Sequence, residues 1–156
     1  MAYENPEDTL VLETTKGKVV IKLRPDLAPN HVARVKELAR EGFYDGVVFH
    51  RVIDGFMAQT GDPTGTGSGG SDKPDLKAEF SDESHKRGTV SAARTANPNS
   101  ANSQFFICFT DAPWLNKQYS VWGEVIEGMD VVDTIKRGEP VRDPDAITTM
   151  RVAADL

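Results

Sequence analysis

The chain has 156 residues, 38% hydrophobic and 27% charged, which fits one domain over residues 1–156 with a core that needs no disulfide or metal. Eighteen Lys and Arg against 24 Asp and Glu leave a net charge of -6, excluding the basic surface that non-specific nucleic-acid or anionic-membrane binding requires. The one cysteine, Cys108, excludes an intrachain disulfide and fits a reducing compartment.

Met1 to Asp8 carries three acidic residues, no basic ones and no apolar stretch. Neither a secretory nor a transit peptide is expected there, and a cytoplasmic protein is expected over the alternative, a mature periplasmic form that has lost its leader. Thr9–Thr14 and Lys18–Leu23 read as two strands joined at Lys16-Gly17, with Val19, Ile21 and Leu23 on one face. Pro25 to Pro29 breaks the pattern. From Asn30 to Glu41, Val32, Val35, Leu38 and Ala39 recur at helical spacing, with Pro29 suited to the first turn and Gly42 to the C-cap.

Val47–Ile53 and Phe56–Thr60 read as strands around Asp54-Gly55, followed by a glycine-rich loop, Gly61–Asp75, expected to be mobile. Thr89–Ala93, Ser103–Phe109 and Val121–Val125 are further strands. Met129–Arg137 is a second short helix, and Thr148–Ala154 a last strand. About eight strands and two helices without a βαβ rhythm predict a mainly β protein. The expected architecture is a closed eight-stranded antiparallel barrel, capped at its ends by the two α-helices. The longest apolar run, Phe105 to Phe109, is five residues, against the roughly 20 a membrane helix needs.

Several familiar chemistries find no residues. Gly65-Thr66-Gly67-Ser68-Gly69-Gly70 matches G-x-G-x-x-G, but Ser71-Asp72-Lys73-Pro74 follows where a dinucleotide site needs a helix N-terminus. His31, His50 and His85 are far apart and lack acidic or Cys neighbours at ligand spacing, so no metal is expected. No serine sits in a nucleophile elbow, and Cys108, mid-strand among aromatics, reads as core filler. No cofactor is expected.

Alternation along Ser103–Phe109 separates Phe105, Ile107 and Phe109, an obvious core set, from Gln104, Phe106 and Cys108. An amide beside a phenyl ring suits a surface that grips an extended peptide. Met57 and Gln59 repeat the pairing. Arg51 interrupts an apolar strand, either as an edge charge or salt bridge facing water, or as part of that surface. Trp114, after Pro113, is either a packed lid or a member of the same surface. Together these residues describe a shallow apolar groove with one cation and two amides.

These residues carry a resemblance. Phe49-His50-Arg51-Val52-Ile53-Asp54-Gly55-Phe56-Met57-Ala58-Gln59-Thr60-Gly61-Asp62 resembles the central signature of the cyclophilins, the cyclosporin-binding peptidyl-prolyl isomerases. Ser103-Gln104-Phe105-Phe106-Ile107 is similar to their second signature and Trp114-Leu115 to their third, in matching order over nearly the whole chain. The compact form is similar to bacterial cytosolic members. The resemblance implies an isomerase of X-Pro bonds that assists protein folding, with a groove on the outside of the barrel. Arg51 would be its catalytic arginine. Phe56, Met57, Phe106 and Leu115 would line a proline pocket, and Gln59 and Gln104 would hold the peptide backbone. Trp114 would contact cyclosporin-like cyclic peptides. Gly67 with Ala93, Arg94 and Thr95 would border the site toward the residues before proline.

Two positions depart from the eukaryotic pattern. Tyr119 stands where those members carry histidine, and it can still pack on proline and donate a hydrogen bond. Ala93-Arg94-Thr95-Ala96-Asn97-Pro98 is one residue longer than their form. The implied partners are proline-containing polypeptides, with no nucleic acid or membrane, for a monomer. A chaperone or binding module that holds proline segments without turnover, and a nucleotide-binding protein resting on the glycine loop, are the alternatives.

Overall fold

The computed structural model describes residues 5–156, so the first half of the acidic start lies outside the described residues. Strands β1 (Thr9–Thr14) and β2 (Gly17–Leu23) form the expected hairpin, with Thr14 opposite Gly17. The Thr14 hydroxyl closes the turn, accepting from the amides of Lys16 and Gly17 and donating to Gly17 O at 2.7 Å. Leu10 and Leu12 from β1 and Val19, Ile21 and Leu23 from β2 enter one core.

Helix α1 spans Pro29–Arg40. Its N-cap residue, Ala28, has no side-chain oxygen to offer. The cap comes instead from Glu79, whose carboxylate accepts from the amides of Asn30 at 3.2 Å and His31 at 2.8 Å. At the other end Gly42, at φ +74°, turns the chain. Its amide bonds Ala39 O and the Phe43 amide bonds Leu38 O, the paired closure that glycine permits.

Strands β3 (Arg51–Ile53), β4 (Met57–Thr60), β5 (Thr89–Ala92), β6 (Phe105–Cys108), β7 (Val121–Glu127) and β8 (Ile147–Val152) complete one antiparallel sheet of eight, in the order β3-β4-β6-β5-β7-β2-β1-β8. The sheet curls into a barrel-like form, but the closed barrel expected from the sequence is an overstatement. Its edges, β3 and β8, share no ladder. β3 starts at Arg51 rather than Val47, because Val47–Phe49 leaves β4 to span the seam. Val48 bridges Ala146, Phe49 N donates to Asp145 O and Ile147 N to Val47 O, both at 2.8 Å.

Helix α2 (Met129–Val132) is shorter than the expected Met129–Arg137. Beyond it the chain makes tighter i→i−3 turns, Thr134 to Val131 and Ile135 to Val132. The expected apolar side survives, with Val132 and Ile135 buried in the core and Met129 packed against it. The last strand ends at Val152, and Ala153–Asp155 is a 3₁₀ turn. α1 lies against β7 and β8, and α2 against β2.

Strand β6 is buried on both faces. Phe105, Ile107 and the following Phe109 join the interior core with Tyr44 and Trp122. Phe106 and Cys108 join a second cluster outside the sheet, with Met57, Ala112 and Leu115.

Candidate active site

Register aligns the site. Arg51 pairs with Gln59 across β3 and β4, and Gln59 pairs with Phe106 across β4 and β6. Residues paired across neighbouring strands point to the same face, so cation, amide and ring stand in a row. One row over, Ile53, Met57 and Cys108 repeat the alignment in apolar form. Leu115 arrives on a 3₁₀ turn, Pro113–Leu115, and Tyr119 on the segment before β7. Arg51, Phe56, Met57, Gln59, Ala93, Arg94, Phe106, Leu115 and Tyr119 enclose a hollow of about 200 Å³.

The hollow's walls are braced from behind. The Phe106 ring lies edge-on to Tyr119 at 5.6 Å and parallel to His85 at 6.2 Å. His85 is held by Asn116, whose Oδ1 accepts its backbone amide at 2.7 Å, and by Ser91, 3.1 Å from Nε2. Neither support was singled out from the sequence, where His85 sits in an unpatterned polar stretch.

Arg51 is fixed from two sides. Its Nε donates to Glu139 Oε2 at 2.6 Å, and Nη1 donates to Gln59 Oε1 at 3.2 Å. The salt-bridge and groove readings of Arg51 therefore both describe the molecule. Gln59 Nε2 donates in turn to Gln104 Oε1 at 2.9 Å, and Gln104 Nε2 donates to Gly67 O and Gly69 O. This engages both N–H groups of Gln104 within the protein, so its place is to tie Arg51 and Gln59 to the glycine loop.

That loop, read from its composition as mobile, is tied down by one carboxylate. The Asp62 carboxylate, fully buried, accepts from the amides of Thr64, Thr66, Gly67 and Gly69 and from the Thr64 hydroxyl. Burial alone would raise its pKa, but these bonds outweigh it and hold the carboxyl at about 2. Gly61, at φ +99°, lets β4 run against Ser103 and Gln104, where a Cβ would meet Gln104 Cα at 2.7 Å.

Gly67, Thr95 and Gln104 do not line the apolar hollow. They border a second, polar one of about 520 Å³ that shares Gln59, Ala93 and Arg94 with the first. Trp114 is not a packed lid. It is 63% exposed and stands on the rim, its ring 5.7 Å from Phe56. Cys108 is buried at the base of the outer cluster, and burial pushes its thiol up to about 12. His50, next to Arg51, is buried with neither ring nitrogen partnered among the described residues. Burial lowers its pKa, against the attraction of Asp62. Among the described residues no three His, Cys, Asp or Glu side chains gather as metal ligands, and no helix is long and apolar enough to cross a membrane.

An arginine and an amide set on the edge of a phenyl-floored hollow, outside a curled eight-stranded sheet, define a class. The model of the cyclophilin-type peptidyl-prolyl cis-trans isomerases matches residues 9–153, and the chain belongs to that family. A probable peptidyl-prolyl cis-trans isomerase of Brucella suis is 54% identical over 97% of this chain and 85% of its own. A peptidyl-prolyl cis-trans isomerase of Helicobacter pylori is 40% identical over 88% of this chain and 89% of its own. Among solved structures, a cyclophilin from Hirschia baltica superposes with a TM-score of 0.90 at 33% identity, over 97% of this chain and 76% of that one. A cyclophilin-type isomerase of Cryptosporidium parvum, crystallised in the presence of the dipeptide Ala-Pro, gives 0.86 at 28% identity, over 92% and 98%.

Proposed function

We propose that this cyclophilin turns X-Pro bonds of proline-containing polypeptides in the 200 Å³ hollow, with Arg51 as its catalytic residue, and so assists their folding. The observation that carries the proposal is the row Arg51–Gln59–Phe106, which sets a guanidinium over the edge of an apolar pocket. The pocket is smaller than the ~300–1,000 Å³ of a small-molecule site and suits one side chain. The Ala-Pro present with the Cryptosporidium parvum neighbour supports a proline ligand.

The chemistry asks for little else. An X-Pro bond rotates in tens to hundreds of seconds because its resonance imposes a barrier of roughly 18–20 kcal/mol. No bond is made, so no nucleophile is needed. In the twisted state the proline nitrogen regains its lone pair and accepts a hydrogen bond. A donor aimed there stabilises that state over both planar ones. Arg51 offers N–H groups beyond the two spent on Glu139 and Gln59. The twisted amide is less charge-separated than the planar one, so the walls of Phe56, Met57, Phe106, Leu115 and Tyr119 favour it as well. A 10⁵-fold acceleration needs about 7 kcal/mol, shared among donor, walls and backbone anchoring.

Gln59 keeps one N–H for a peptide carbonyl, and Ala93 to Thr95 face the chain before proline. Exposed Trp114 beside Phe56 offers an indole to a cyclosporin-like cyclic peptide. A chaperone role on proline segments would use the same groove. Cytoplasmic residence and a monomeric state complete the reading.

The test is Arg51→Ala. Isomerisation of a proline peptide, followed by NMR exchange, should fall roughly 10²–10³-fold, while the circular dichroism spectrum is unchanged. A folded variant turning over at the wild-type rate would sink the assignment.

A further inference from the structure

Arg94 stands where the two hollows meet and lines both. Its guanidinium is clamped in place. Nε and Nη2 donate to Gln118 O at 3.0 and 2.7 Å, and Nη1 donates to Thr95 O at 2.9 Å. The guanidinium carbon lies 4.5 Å from the centre of the Tyr119 ring. All these partners are neutral, and two of the five N–H groups are left over.

The other cation of the groove is answered. Arg51 is paired with Glu139. Asp75, which also lines the polar hollow, is not paired with Arg94 and accepts from the neutral Asn102 Nδ2 at 3.1 Å. Among the described residues the side-chain bonds of Arg94 all go to carbonyls and none to a carboxylate. The groove therefore holds one fixed cation without a carboxylate in contact, on the side assigned to the peptide before proline.

We propose that Arg94 makes this enzyme select proline segments with an acidic side chain one or two residues before the proline. The free N–H groups of Arg94 receive that carboxylate. The inference rests on the isomerase reading and on its placing residues 93–95 beside the chain before proline. The overall charge of -6 repels acidic peptides at a distance. Salt screens that repulsion beyond about 8 Å, so at contact the local cation decides. Because Arg94 is already immobilised, little side-chain entropy is lost when the carboxylate arrives.

The experiment uses proline peptides differing only in Glu, Gln or Lys at the last or second-last position before proline. Exchange NMR gives kcat/KM for wild type, Arg94→Gln and Arg94→Lys at low and high salt. At one of the two positions, wild type should turn over the Glu peptide about tenfold faster than the Lys peptide at low salt. That ratio should shrink at high salt, survive in Arg94→Lys and fall to parity in Arg94→Gln. It is read within each enzyme, so a general loss of activity cancels. Parity in wild type, or an undiminished ratio in Arg94→Gln, overturns the proposal. Should Arg94→Gln fail to fold, the wild-type ratio and its salt dependence still decide. Equal turnover of every peptide removes the preference alone, whereas turnover of none removes the isomerase reading beneath it.

Discussion

Arg51 and Glu139, 88 residues apart in the chain, meet across the seam of the sheet, Nε to Oε2 at 2.6 Å. Glu139 follows Gly138, which pairs with Val52 of β3, so the bond that anchors the seam also delivers the carboxylate. The guanidinium is held between this group and Gln59, with its remaining donors set by both.

Glu139 should therefore act as a positioning residue. Glu139→Ala should lower kcat about three- to tenfold with KM little changed, because a loosened donor costs alignment at the twisted bond rather than binding. Glu139→Gln keeps the acceptor and should recover most of the loss. Both partners are exposed, so the melting temperature should barely move. An unchanged kcat in Glu139→Ala would remove the role.

Asp62 sets an acid limit. Its folded pKa of about 2 lies below the ordinary 3.8, so the ionised carboxylate stabilises the fold fully above pH ~4. That contribution, about 2 kcal/mol, is lost as the pH falls from 4 through 2. Asp62→Asn should be less stable at pH 7 and should lack this component in urea titrations between pH 4 and 2. Equal slopes in the two proteins would refute it.

A separate dependence lies higher. His31, His50 and His85 are buried, and burial lowers the pKa of each below the ordinary 6.5, despite Glu79 beside His31 and Asn116 beside His85. They stay neutral in the fold and take up protons on unfolding. Their stabilisation is complete above pH ~6.5 and declines as the pH falls from there toward the depressed folded values. Each contributes up to about 1.4 kcal/mol per pH unit in that window. Urea midpoints should drop as the pH falls below 6.5, and His50→Leu should flatten the slope.

Cys108 should be chemically silent. It is fully buried, and burial, aided by Asp111, pushes its thiol up to about 12. Iodoacetamide at pH 8 should leave the native protein unlabelled and label it fully in denaturant. Rapid labelling of the native protein would contradict the burial.

Periodicity revealed what depends on nearby residues. The hairpin of β1 and β2, the span of α1 and its closure at Gly42 all follow from patterns a few residues long. The two faces of β6 were legible for the same reason, and with them the Arg51, Gln59 and Phe106 surface. What stayed hidden joins distant segments. Glu79 caps a helix 48 positions away, and Glu139 reaches Arg51 from across the seam. Val47–Phe49 reads as continuous strand because Val47 and Phe49 are buried, yet its backbone ladder bonds are to Asp145 and Ile147 rather than to the backbone of β4. The glycine loop looked loose because its composition is permissive. What braces it is one buried carboxylate, Asp62, that gathers four amides.

The strand carrying Phe106 is packed on its inner and outer surfaces alike. An exchange of side chain there disturbs the interior of the sheet or the floor of the pocket, and neighbouring positions cannot absorb the change independently. Change in what such an enzyme prefers is thus easier at the exposed positions of the surrounding loops, such as Ser68 and Thr95, than at the floor. The strand that floors the pocket is thereby the part of the sheet least free to be retuned.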